Sequence, residues 1–381
     1  MRPRIMTVYG TRPEAIKCAP VIKAIEASDD LDSIVVVTGQ HREMLDQVNE
    51  LFEIVPDHDL NIMSHGQTLA QIFSRVLDGL DPILEKEKPA AVVVQGDTTT
   101  STAAALAAFY RRIPVVHVEA GLRSGDLSSP FPEEANRRVT SQIAALHLAP
   151  TETSRQNLLQ AGVSDTEIVV TGNTVIDALH LTVAKEVEFA DSALEEIVAS
   201  GLRILLVTTH RRENWGKPMA GVGRALATIA RRFPDVAIVL PIHRNPVVRD
   251  AVLPAIHGIE NVRVTEPLSY GEFARLMATS TLVLTDSGGV QEEAPSLGKP
   301  VLVMRDNTER PEAVEAGTVR LVGTSERDIV DSVARLLEDE EAYSAMALAV
   351  SPYGDGHASE RSTSAIARLL GPGSPAREQD R

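Results

Sequence analysis

The chain has 381 residues, of which 43% are hydrophobic, and its formal net charge is −16. This length suits two domains, and no segment approaches the roughly 20 apolar residues that a membrane-spanning helix needs. The negative charge opposes nonspecific binding to nucleic acid, and the N-terminus shows no apolar segment of signal-peptide length. We therefore expect a cytoplasmic protein without a role at membranes or on nucleic acid. The single cysteine, Cys18, lies in an apolar stretch and is predicted to be a buried thiol without a chemical role.

Short β-branched runs alternate with longer helical patterns along the chain, which is typical of parallel βαβ units. In the first half the predicted strands are residues 4–10, 33–39, 91–97, 115–121, 145–150 and 167–172. In the second half they are residues 203–210, 237–243, 261–266, 282–289, 301–304 and 319–322. Consecutive apolar residues indicate strands that are covered on both faces. The sequence therefore predicts an α/β fold with two Rossmann-like domains that face each other across a cleft.

The join between the two domains is predicted near GNTVIDALH (172–180), which precedes an acidic helical stretch. This places an N-terminal domain at residues 1–175 and a C-terminal domain at residues 176–358. A C-terminal helix at 359–371 is expected to pack back on the N-terminal domain. The polar tail at 372–381 is expected to be disordered.

Polar residues follow the predicted strands, at the sheet edge where open α/β folds bind ligands. YGTRPEAIK (9–17) resembles an anion-binding loop with a cation, Arg12 or Lys17, at each end, although surface charge on an early helix turn explains it about equally well. Asp97 is the last residue of the predicted strand segment AVVVQGD (91–97), just past its apolar run, and the sequence alone slightly favours a helix cap there.

The segment VVHVEAGLRSGD (115–126) is more informative, because His117 and Glu119 lie two residues apart in an extended segment and so share one side of it. A covered strand rarely carries a charge, so a ligand-facing Glu119 is favoured over a structural His–Glu hydrogen bond. The helix that begins in FPEEANRR (131–138) carries two Glu–Arg pairs at a spacing of four. One pair is expected to face the cleft and the other to be ordinary surface.

In the second half, TDSGG (285–289) combines glycines, which let a ligand approach the backbone, with a helix start that offers N–H groups to an anion. Glu292 and Glu293 follow, and we expect them to face another part of the same ligand. His210 ends the first strand of this half, where a structural histidine is equally compatible. Arg310 lies in a loop, with a helix-start salt bridge as its alternative. The absence of HExxH and CxxC spacings argues against a metal site.

Together these segments resemble the non-hydrolysing bacterial UDP-N-acetylglucosamine 2-epimerases. The motifs that carry the resemblance are GTRPEAIK, GDTTT, HVEAGLRSGD, PEEANR, GNTVIDAL, THRREN, TDSGGVQEEAPSLGKPVLVMRDNTERPEAV, AGTVRLVGT and PYGDG, from residue 4 to about residue 370. The resemblance implies two Rossmann-like domains, arranged as in the B class of glycosyltransferases, that bind a nucleotide sugar between them.

The resemblance also implies residue roles. The residues at catalytic positions are Asp97, Glu119, Glu133, Arg137 and His210. The residues at substrate-binding positions, around the diphosphate and the ribose, are Arg12, Lys17, Ser287, Gly288, Gly289, Glu293 and Arg310. The candidate regulatory residues, where regulated members bind a second substrate molecule, are Gln40, His41, Arg42, Gln67, Arg212 and His243. Gly66 stands where several such members carry an arginine, which argues against strong substrate activation.

The implied reaction is the reversible epimerisation of UDP-N-acetylglucosamine to UDP-N-acetylmannosamine at carbon 2. UDP leaves to give a 2-acetamidoglucal and is then added back, without a redox cofactor or a metal. The alternatives are a hydrolysing epimerase that releases UDP and N-acetylmannosamine, a two-domain UDP-sugar glycosyltransferase, and an inactive UDP-sugar sensor. The expected partners are UDP-N-acetylglucosamine, UDP and a second copy in a homodimer, and the expected pathway is surface polysaccharide supply.

Overall fold

The structure, a computed structural model, describes residues 2–39, 42–64, 66–308 and 310–371. The chain divides into two compact units. Unit 1 contains the described residues up to Leu181 and those from Tyr353 onward, and unit 2 contains Thr182–Pro352. The tail that was predicted to be disordered lies outside the described residues. The domain boundaries at residues 175 and 358 stay a prediction.

Unit 1 is built on a seven-stranded parallel sheet with the order β3-β2-β1-β4-β5-β6-β7. Its strands are β1 Arg4–Tyr9, β2 Asp32–Val37, β3 His58–Asp59, β4 Ala91–Gln95, β5 Val115–Val118, β6 Leu146–Ala149 and β7 Ile168–Val170. The helices that connect or follow them are α1 Arg12–Glu26, α2 Arg42–Leu51, α3 Leu69–Glu87, α4 Thr99–Tyr110, α5 Glu133–Ile143, α6 Glu152–Gln160 and α7 Thr174–Val183. The last two residues of α7 belong to unit 2.

Unit 2 is built on a six-stranded parallel sheet with the order β10-β9-β8-β11-β12-β13. Its strands are β8 Arg203–Thr208, β9 Val236–Pro241, β10 Val262–Thr265, β11 Leu282–Thr285, β12 Val301–Val303 and β13 Val319–Leu321. Its helices are α8 Ser192–Ala199, α9 Lys217–Arg232, α10 Pro246–Ile256, α11 Tyr270–Thr279, α12 Gly288–Glu293, α13 Pro311–Glu315, α14 Glu326–Glu338 and α15 Glu340–Ala347. The last helix, α16 Ala358–Leu369, belongs to unit 1. Single 3-10 turns lie at Asp165–Glu167, Arg212–Asn214 and Ala294–Leu297.

The apolar strands are covered on both faces, as their composition requires. In β4, Val92 and Val94 pack in one core with α3 and α4, whereas Val93 packs in the opposite core with α1 and α16. Side chains alternate between faces along a strand, so an unbroken apolar run fills both cores at once. The predicted α/β fold with two parallel sheets is confirmed. Cys18 is fully buried, as predicted.

Each sheet has a point at which successive strands are added on opposite sides. In unit 1 this point lies between β1 and β4, and in unit 2 it lies between β8 and β11. The loops at the carboxyl ends of two such strands diverge to opposite faces of the sheet and leave a crevice, which is where open α/β sheets bind ligands. The residues that follow these four strands are therefore candidates for ligand binding in each unit.

The chain returns to unit 1 next to the point where it leaves. The Asn173 N–H donates to the Tyr353 carbonyl oxygen at 2.7 Å. The Asp177 carboxylate in α7 accepts hydrogen bonds from the N–H groups of Ala358 at 3.2 Å and Ser359 at 2.7 Å, which are the first two residues of α16. Within the described ranges, no helix is long and apolar enough to cross a membrane.

Candidate functional site

Glu119 lies directly after β5, and its φ of +60° is in the left-handed region that residues other than glycine rarely adopt. Its carboxylate accepts hydrogen bonds from Lys17 Nζ and Gln95 Nε2, and from Asn173 Nδ2 at 3.2 Å. The donors come from α1, from β4 and from the segment before α7. Three separate elements of unit 1 therefore fix the position of this carboxylate.

His117 does not take part in this group. Its Nε2 contacts the Gly96 carbonyl oxygen at 2.7 Å, and its Nδ1 has no hydrogen-bond partner among the described residues. The structural hydrogen bond between His117 and Glu119, one of the two alternatives from the sequence, is therefore not formed. The expectation that both side chains share one side of an extended strand is also wrong, because β5 ends at Val118 and the backbone turns at Glu119.

Asp97 lies beyond the carboxyl end of β4 and is not the cap of the helix that follows. That cap is Thr98, whose hydroxyl accepts a hydrogen bond from the Ser101 N–H at 3.0 Å. The Asp97 carboxylate is instead paired with Arg137, through Nε at 2.8 Å and Nη2 at 2.6 Å. Asn136 donates to the Asp97 backbone carbonyl at 2.8 Å. Asp97 is thus tied to α5, and the cap alternative for its side chain is wrong.

Glu133, the first residue of α5, carries a buried carboxylate oxygen, Oε2, that has no hydrogen-bond partner among the described residues. Arg137, four residues later, pairs with Asp97 and lies 3.4 Å from Glu134, so the Glu133–Arg137 spacing does not produce an ion pair. An unsatisfied buried acceptor is costly, and a ligand is one way to satisfy it.

Glu134 is 0% exposed, so the second Glu–Arg pair is not ordinary surface. Its carboxylate accepts hydrogen bonds from the Ser124 N–H at 2.9 Å and from Arg138 Nε at 3.0 Å. The pair therefore anchors the loop after β5 to α5. The spacing in the sequence predicted the pairing of Glu134 with Arg138. It did not predict that Glu134 is buried, because spacing along a helix does not show which side of the helix faces the protein interior.

The start of α1 is already occupied by a carboxylate of the chain. Glu14 accepts hydrogen bonds from the N–H groups of Gly10 at 3.1 Å and Thr11 at 2.8 Å, and from the Thr98 hydroxyl at 2.6 Å. Burial raises the pKa of the Glu14 carboxyl, and these hydrogen bonds oppose that rise. The interpretation of this turn as an anion-binding loop is therefore not supported, because its backbone donors are used internally. Arg12 is exposed at the first position of α1.

In unit 2, the glycines of TDSGG leave room for an arginine. A Cβ atom at Gly288 would lie 3.0 Å from the Arg310 guanidinium carbon, so a side chain there would displace this group. Arg310 Nε also donates to Glu292 at 2.7 Å, at the start of α13. The helix-start salt bridge considered from the sequence is thus present, and it holds the guanidinium against Gly288. Gly289 is exposed, and Ser287 is the N-cap residue of α12.

Glu293 ends α12 and lies near Tyr270, the first residue of α11. Burial, with the Glu293 charge as a smaller cause, raises the pKa of the Tyr270 hydroxyl well above its ordinary value. This hydroxyl is buried and has no hydrogen-bond partner in the part of the chain that the structure describes.

His210 follows β8 and is held by a residue that sequence reasoning assigned no role, Asp286. Nδ1 of His210 lies 3.1 Å from Asp286 Oδ1, and the His210 N–H also donates to this carboxylate. Asp286 follows β11, so the two residues meet at the point where the strand order reverses in unit 2. The strand-end position of Asp286 was visible in the sequence, but its partner, 76 residues earlier, was not.

The candidate regulatory residues are dispersed over both units. Gln40 and His41 lie outside the described residues. Arg42 pairs with Asp46 and Asp59, and Arg75 donates to Gln67 at 3.0 Å. In unit 2, the Arg212 guanidinium lies 5.9 Å from the Trp215 ring centroid, and the His243 ring stacks at 6.2 Å from His210. The regulatory assignment stays a prediction, as do the assigned roles at the site. The described residues include no group of three or more His, Cys, Asp or Glu side chains that could hold a metal ion.

The family model described as UDP-N-acetylglucosamine 2-epimerase matches residues 23–367. The chain belongs to the UDP-N-acetylglucosamine 2-epimerase family. This membership confirms the prediction made from the motifs.

Relatives in the epimerase family are similar over nearly the whole chain. The UDP-N-acetylglucosamine 2-epimerase of Escherichia coli (strain K12) is 55% identical over 369 residues, which are 95% of this chain and 98% of that protein. The crystal structure of UDP-GlcNAc 2-epimerase from Neisseria meningitidis bound to UDP-GlcNAc is 47% identical, with a TM-score of 0.82, and the match covers 96% of this chain and 100% of that one.

A more distant epimerase has the same fold. The crystal structure of Methanocaldococcus jannaschii UDP-GlcNAc 2-epimerase in complex with UDP-GlcNAc and UDP is 35% identical, with a TM-score of 0.73. The match covers 96% of this chain and 99% of that one. The two-sheet α/β architecture is therefore shared with members of the epimerase family that bind the nucleotide sugar.

Proposed function

We propose that this chain interconverts UDP-N-acetylglucosamine and UDP-N-acetylmannosamine by eliminating UDP and adding it back. The observation that carries the proposal is the group of acids at the carboxyl edge of the unit 1 sheet. Asp97 and Glu119 follow the neighbouring strands β4 and β5, and Glu133 begins α5, whose Arg137 binds Asp97. Lys17 supplies a second cation, at Glu119. Acids with cationic partners at one sheet edge suit the transfer of protons to and from a bound sugar.

Carbon 2 of the sugar carries no acidic proton, so direct removal and return of this proton is slow. In the elimination, the bond from carbon 1 to the UDP oxygen breaks with the electron pair leaving on UDP, and a carboxylate takes the hydrogen of carbon 2 as a proton. A carbon 1–carbon 2 double bond remains. In the reverse addition, an acid returns a proton to the opposite face of carbon 2, and UDP re-forms its bond to carbon 1. Atoms and electrons balance without a redox cofactor.

The proton carriers in this proposal are Asp97, Glu119 and Glu133. The unsatisfied Oε2 of Glu133 supports its inclusion, since a bound sugar would satisfy this oxygen. Arg137 and Lys17 hold two of the carboxylates in place through ion pairs.

We assign UDP binding to the segment that contains the TDSGG glycines. In this assignment, Ser287, Gly288, Gly289 and Arg310 contact the diphosphate, and Glu293 accepts hydrogen bonds from the ribose hydroxyls. The support is local geometry: Arg310 is held against Gly288, and a guanidinium forms strong paired hydrogen bonds with phosphate oxygens. His210, Arg12 and Lys17, which also pairs with Glu119, complete the proposed diphosphate contacts.

Several further assignments belong to the same proposal. The protein acts in the cytoplasm, as a homodimer, and supplies an activated sugar for surface polysaccharide. Residues 1–175 hold the acids, residues 176–358 hold UDP, and the helix at 359–371 packs on the first domain; the contact of α16 with the core that includes α1 supports the last point. The hydrolysing alternative is not favoured, because the relatives above are named for epimerisation alone.

The reaction run in deuterium oxide tests this function. Elimination and addition exchange the carbon 2 hydrogen with solvent, so UDP-N-acetylmannosamine formed from UDP-N-acetylglucosamine carries deuterium at carbon 2. Mass spectrometry of the product detects the label, and free UDP is measured in the same samples. Product without deuterium would rule out the elimination route. Free UDP and N-acetylmannosamine in equal amounts would instead indicate the hydrolysing reaction, and no epimer at all would reject the proposed function.

A further inference from the structure

Asp286 is a buried carboxylate that organises the loop after β8. It is 0% exposed, and it lies directly after β11, which pairs with β8. Its oxygens accept hydrogen bonds from the Thr209 hydroxyl at 3.0 Å, the Arg211 N–H at 3.0 Å and Asn214 Nδ2 at 3.3 Å. The His210 N–H donates as well, at 3.0 Å. The Asp286 side chain thus binds four residues between positions 209 and 214, in the loop after β8.

This set of donors keeps the Asp286 carboxyl ionised in spite of its burial. Burial alone raises the pKa of a carboxyl group, because the charged form loses its hydration. The hydrogen bonds from the His210 side chain and from the N–H groups of Arg211 and His210 outweigh this effect, so the pKa of Asp286 lies below its ordinary value. The residue is therefore a fixed negative charge at the strand-reversal point of unit 2.

The negative charge faces one particular nitrogen of His210. Nδ1 lies 3.1 Å from Asp286 Oδ1, whereas the His210 side chain as a whole is 42% exposed. An ionised carboxylate can only accept a hydrogen bond, so Nδ1 must carry the proton. This leaves Nε2 as the ring nitrogen that meets a ligand. An anionic ligand requires a donor at Nε2 also, and this combination exists only in the doubly protonated imidazolium.

We propose that Asp286 is a positioning residue that holds His210 by Nδ1–H and so allows Nε2 to take up a proton when the diphosphate of UDP binds. The inference rests on the proposed function, because it takes UDP as the ligand. It deepens that function by naming the group that compensates the imidazolium charge. The proton comes from solvent and is bound at Nε2; Asp286 stays ionised throughout. The aspartate acts through the histidine and has no contact with the reacting carbon.

The other charged or titratable groups near His210 come from three places. The His243 ring, which follows β9, stacks on His210 at 6.2 Å between ring centroids. Arg211, Arg212 and Glu213 belong to the same loop as His210. Arg305, after β12, lies 3.2 Å from Glu213. Since His243 could also take up a proton, its own substitution is part of the test.

Isothermal titration calorimetry with UDP in buffers of different ionisation enthalpy measures the protons taken up on binding. In the wild type near neutral pH, we expect UDP binding to take up protons. In Asp286→Asn the uptake is lost and affinity falls about 10- to 100-fold, the effect typical of a hydrogen bond to a charged group. His243→Gln should retain the uptake. Asp177→Asn is the matched control, because it removes another buried carboxylate that binds backbone N–H groups without a histidine, and its uptake should equal that of the wild type.

A double-mutant cycle separates positioning from general support of the loop. If Asp286 acts through the imidazole, Asp286→Asn costs affinity for UDP in the wild type but little in the His210→Asn background. Equal losses in both backgrounds would overturn the inference. Should Asp286→Asn fail to fold, nitrogen-15 NMR of the wild-type histidines decides the matter, with His210→Asn used for assignment. The proposal requires Nδ1–H in free His210, and an Nε2–H form with a bare Nδ1 would overturn it.

Different results would contradict the proposed function and the role of Asp286. If the wild type does not bind UDP and forms no epimer, the proposed function fails first. If UDP binds and the epimer forms, but binding takes up no proton or Asp286→Asn leaves the uptake unchanged, only the role of Asp286 is wrong.

Discussion

At the scale of single residues, Glu119 combines a carboxylate in a crowded polar group with a backbone conformation that most residues avoid. A left-handed φ at a residue other than glycine costs on the order of 1–2 kcal/mol and persists where surrounding contacts impose it. Here the contacts are the hydrogen bonds from Lys17, Gln95 and Asn173. Their effect is to turn the carboxylate out of the strand direction at the edge where Asp97 also lies.

We expect Glu119→Gln and Asp97→Asn each to lower turnover by roughly 10²- to 10⁴-fold, the range for general acid–base groups, while UDP still binds. Both changes preserve shape and remove the ability to accept a proton. Epimerisation rates and calorimetry with UDP measure the two effects. Glu152→Gln, an exposed acid in α6, is the control and should behave as the wild type. Normal turnover in either variant would remove that residue from the proton path.

The sequence predicted a set of candidate acids, but it did not predict the residues that surround them. Asp97 could be assigned through its motif, but its partner Arg137 lies 40 residues later and is brought there only by folding. For residues 9–17 the sequence left an anion-binding loop and a charged helix surface open, and neither anticipated the buried Glu14, because spacing does not reveal burial. Asp286 carried no signal beyond its place after a strand, since its donors lie 72 to 77 residues earlier in the chain and two of them are backbone N–H groups. Partners distant in the chain and backbone donors are the two kinds of contact that a sequence pattern does not encode.

At the scale of elements, the loop after β5 packs against α6 through a glycine that has no space for a side chain. A Cβ atom at Gly121 would lie 2.2 Å from the Ser154 carbonyl oxygen. Gly121 also has a φ of +93°. The loop carries Glu119 at one end and the Glu134-bound Ser124 further on, so its position determines where the acid lies.

Gly121→Ala should destabilise the protein more than Gly125→Ala, by about 1–3 kcal/mol, the cost typical of overpacking. Both glycines have a positive φ, so both alanines incur a backbone cost, but a Cβ atom at Gly125 meets no atom within 4 Å. Urea denaturation of the two variants and the wild type gives the free energies of unfolding. Equal losses in the two variants would show that the loop can move away from α6 at little cost.

The elements themselves were largely predictable, for a reason of composition. All twelve predicted strands are present, and central ones such as β4 and β8 are the unbroken apolar runs typical of parallel strands buried on both faces. The strand that the sequence missed, β3, has two polar residues, His58 and Asp59, and pairs only at the sheet edge. A strand that short has no periodicity to detect, and its existence depends on β2 being available as a partner.

At the scale of the whole molecule, two buried histidines make the free energy of unfolding depend on pH. His117 and His147 are directly paired on β5 and β6, with exposures of 0% and 1%. Burial is the main cause that lowers the pKa of His117 to about 4 and that of His147 to about 3. Both residues stay neutral in the folded chain at a pH where an unfolded chain binds protons on its histidines.

The free energy of unfolding should therefore fall as the pH falls from about 6.5 toward 4, by up to about 1.4 kcal/mol per pH unit for each histidine. The sign follows because the unfolded state binds more protons in this range. Glu14 acts in the opposite direction, because its raised pKa adds stability as the pH falls. Urea denaturation at several pH values measures the slope. His147→Asn should reduce this slope. His257→Gln changes an exposed residue in unit 2 and should leave the slope unchanged. A wild-type stability that stays constant from pH 7 to pH 5 would contradict the expectation.

The chain leaves unit 1 and re-enters it at neighbouring positions, so the gene can be divided between the two units. Gly172 and Gly354 are in contact, and the His180 ring lies against Gly356, so the residues that flank unit 2 are already neighbours on unit 1. In coding terms, unit 2 is an insertion between Leu181 and Tyr353. A short linker could replace the whole insert without stretching the remaining polypeptide. The two units are therefore candidates for separate expression. The coding sequence for unit 1 would join the first 181 residues to the segment that contains α16.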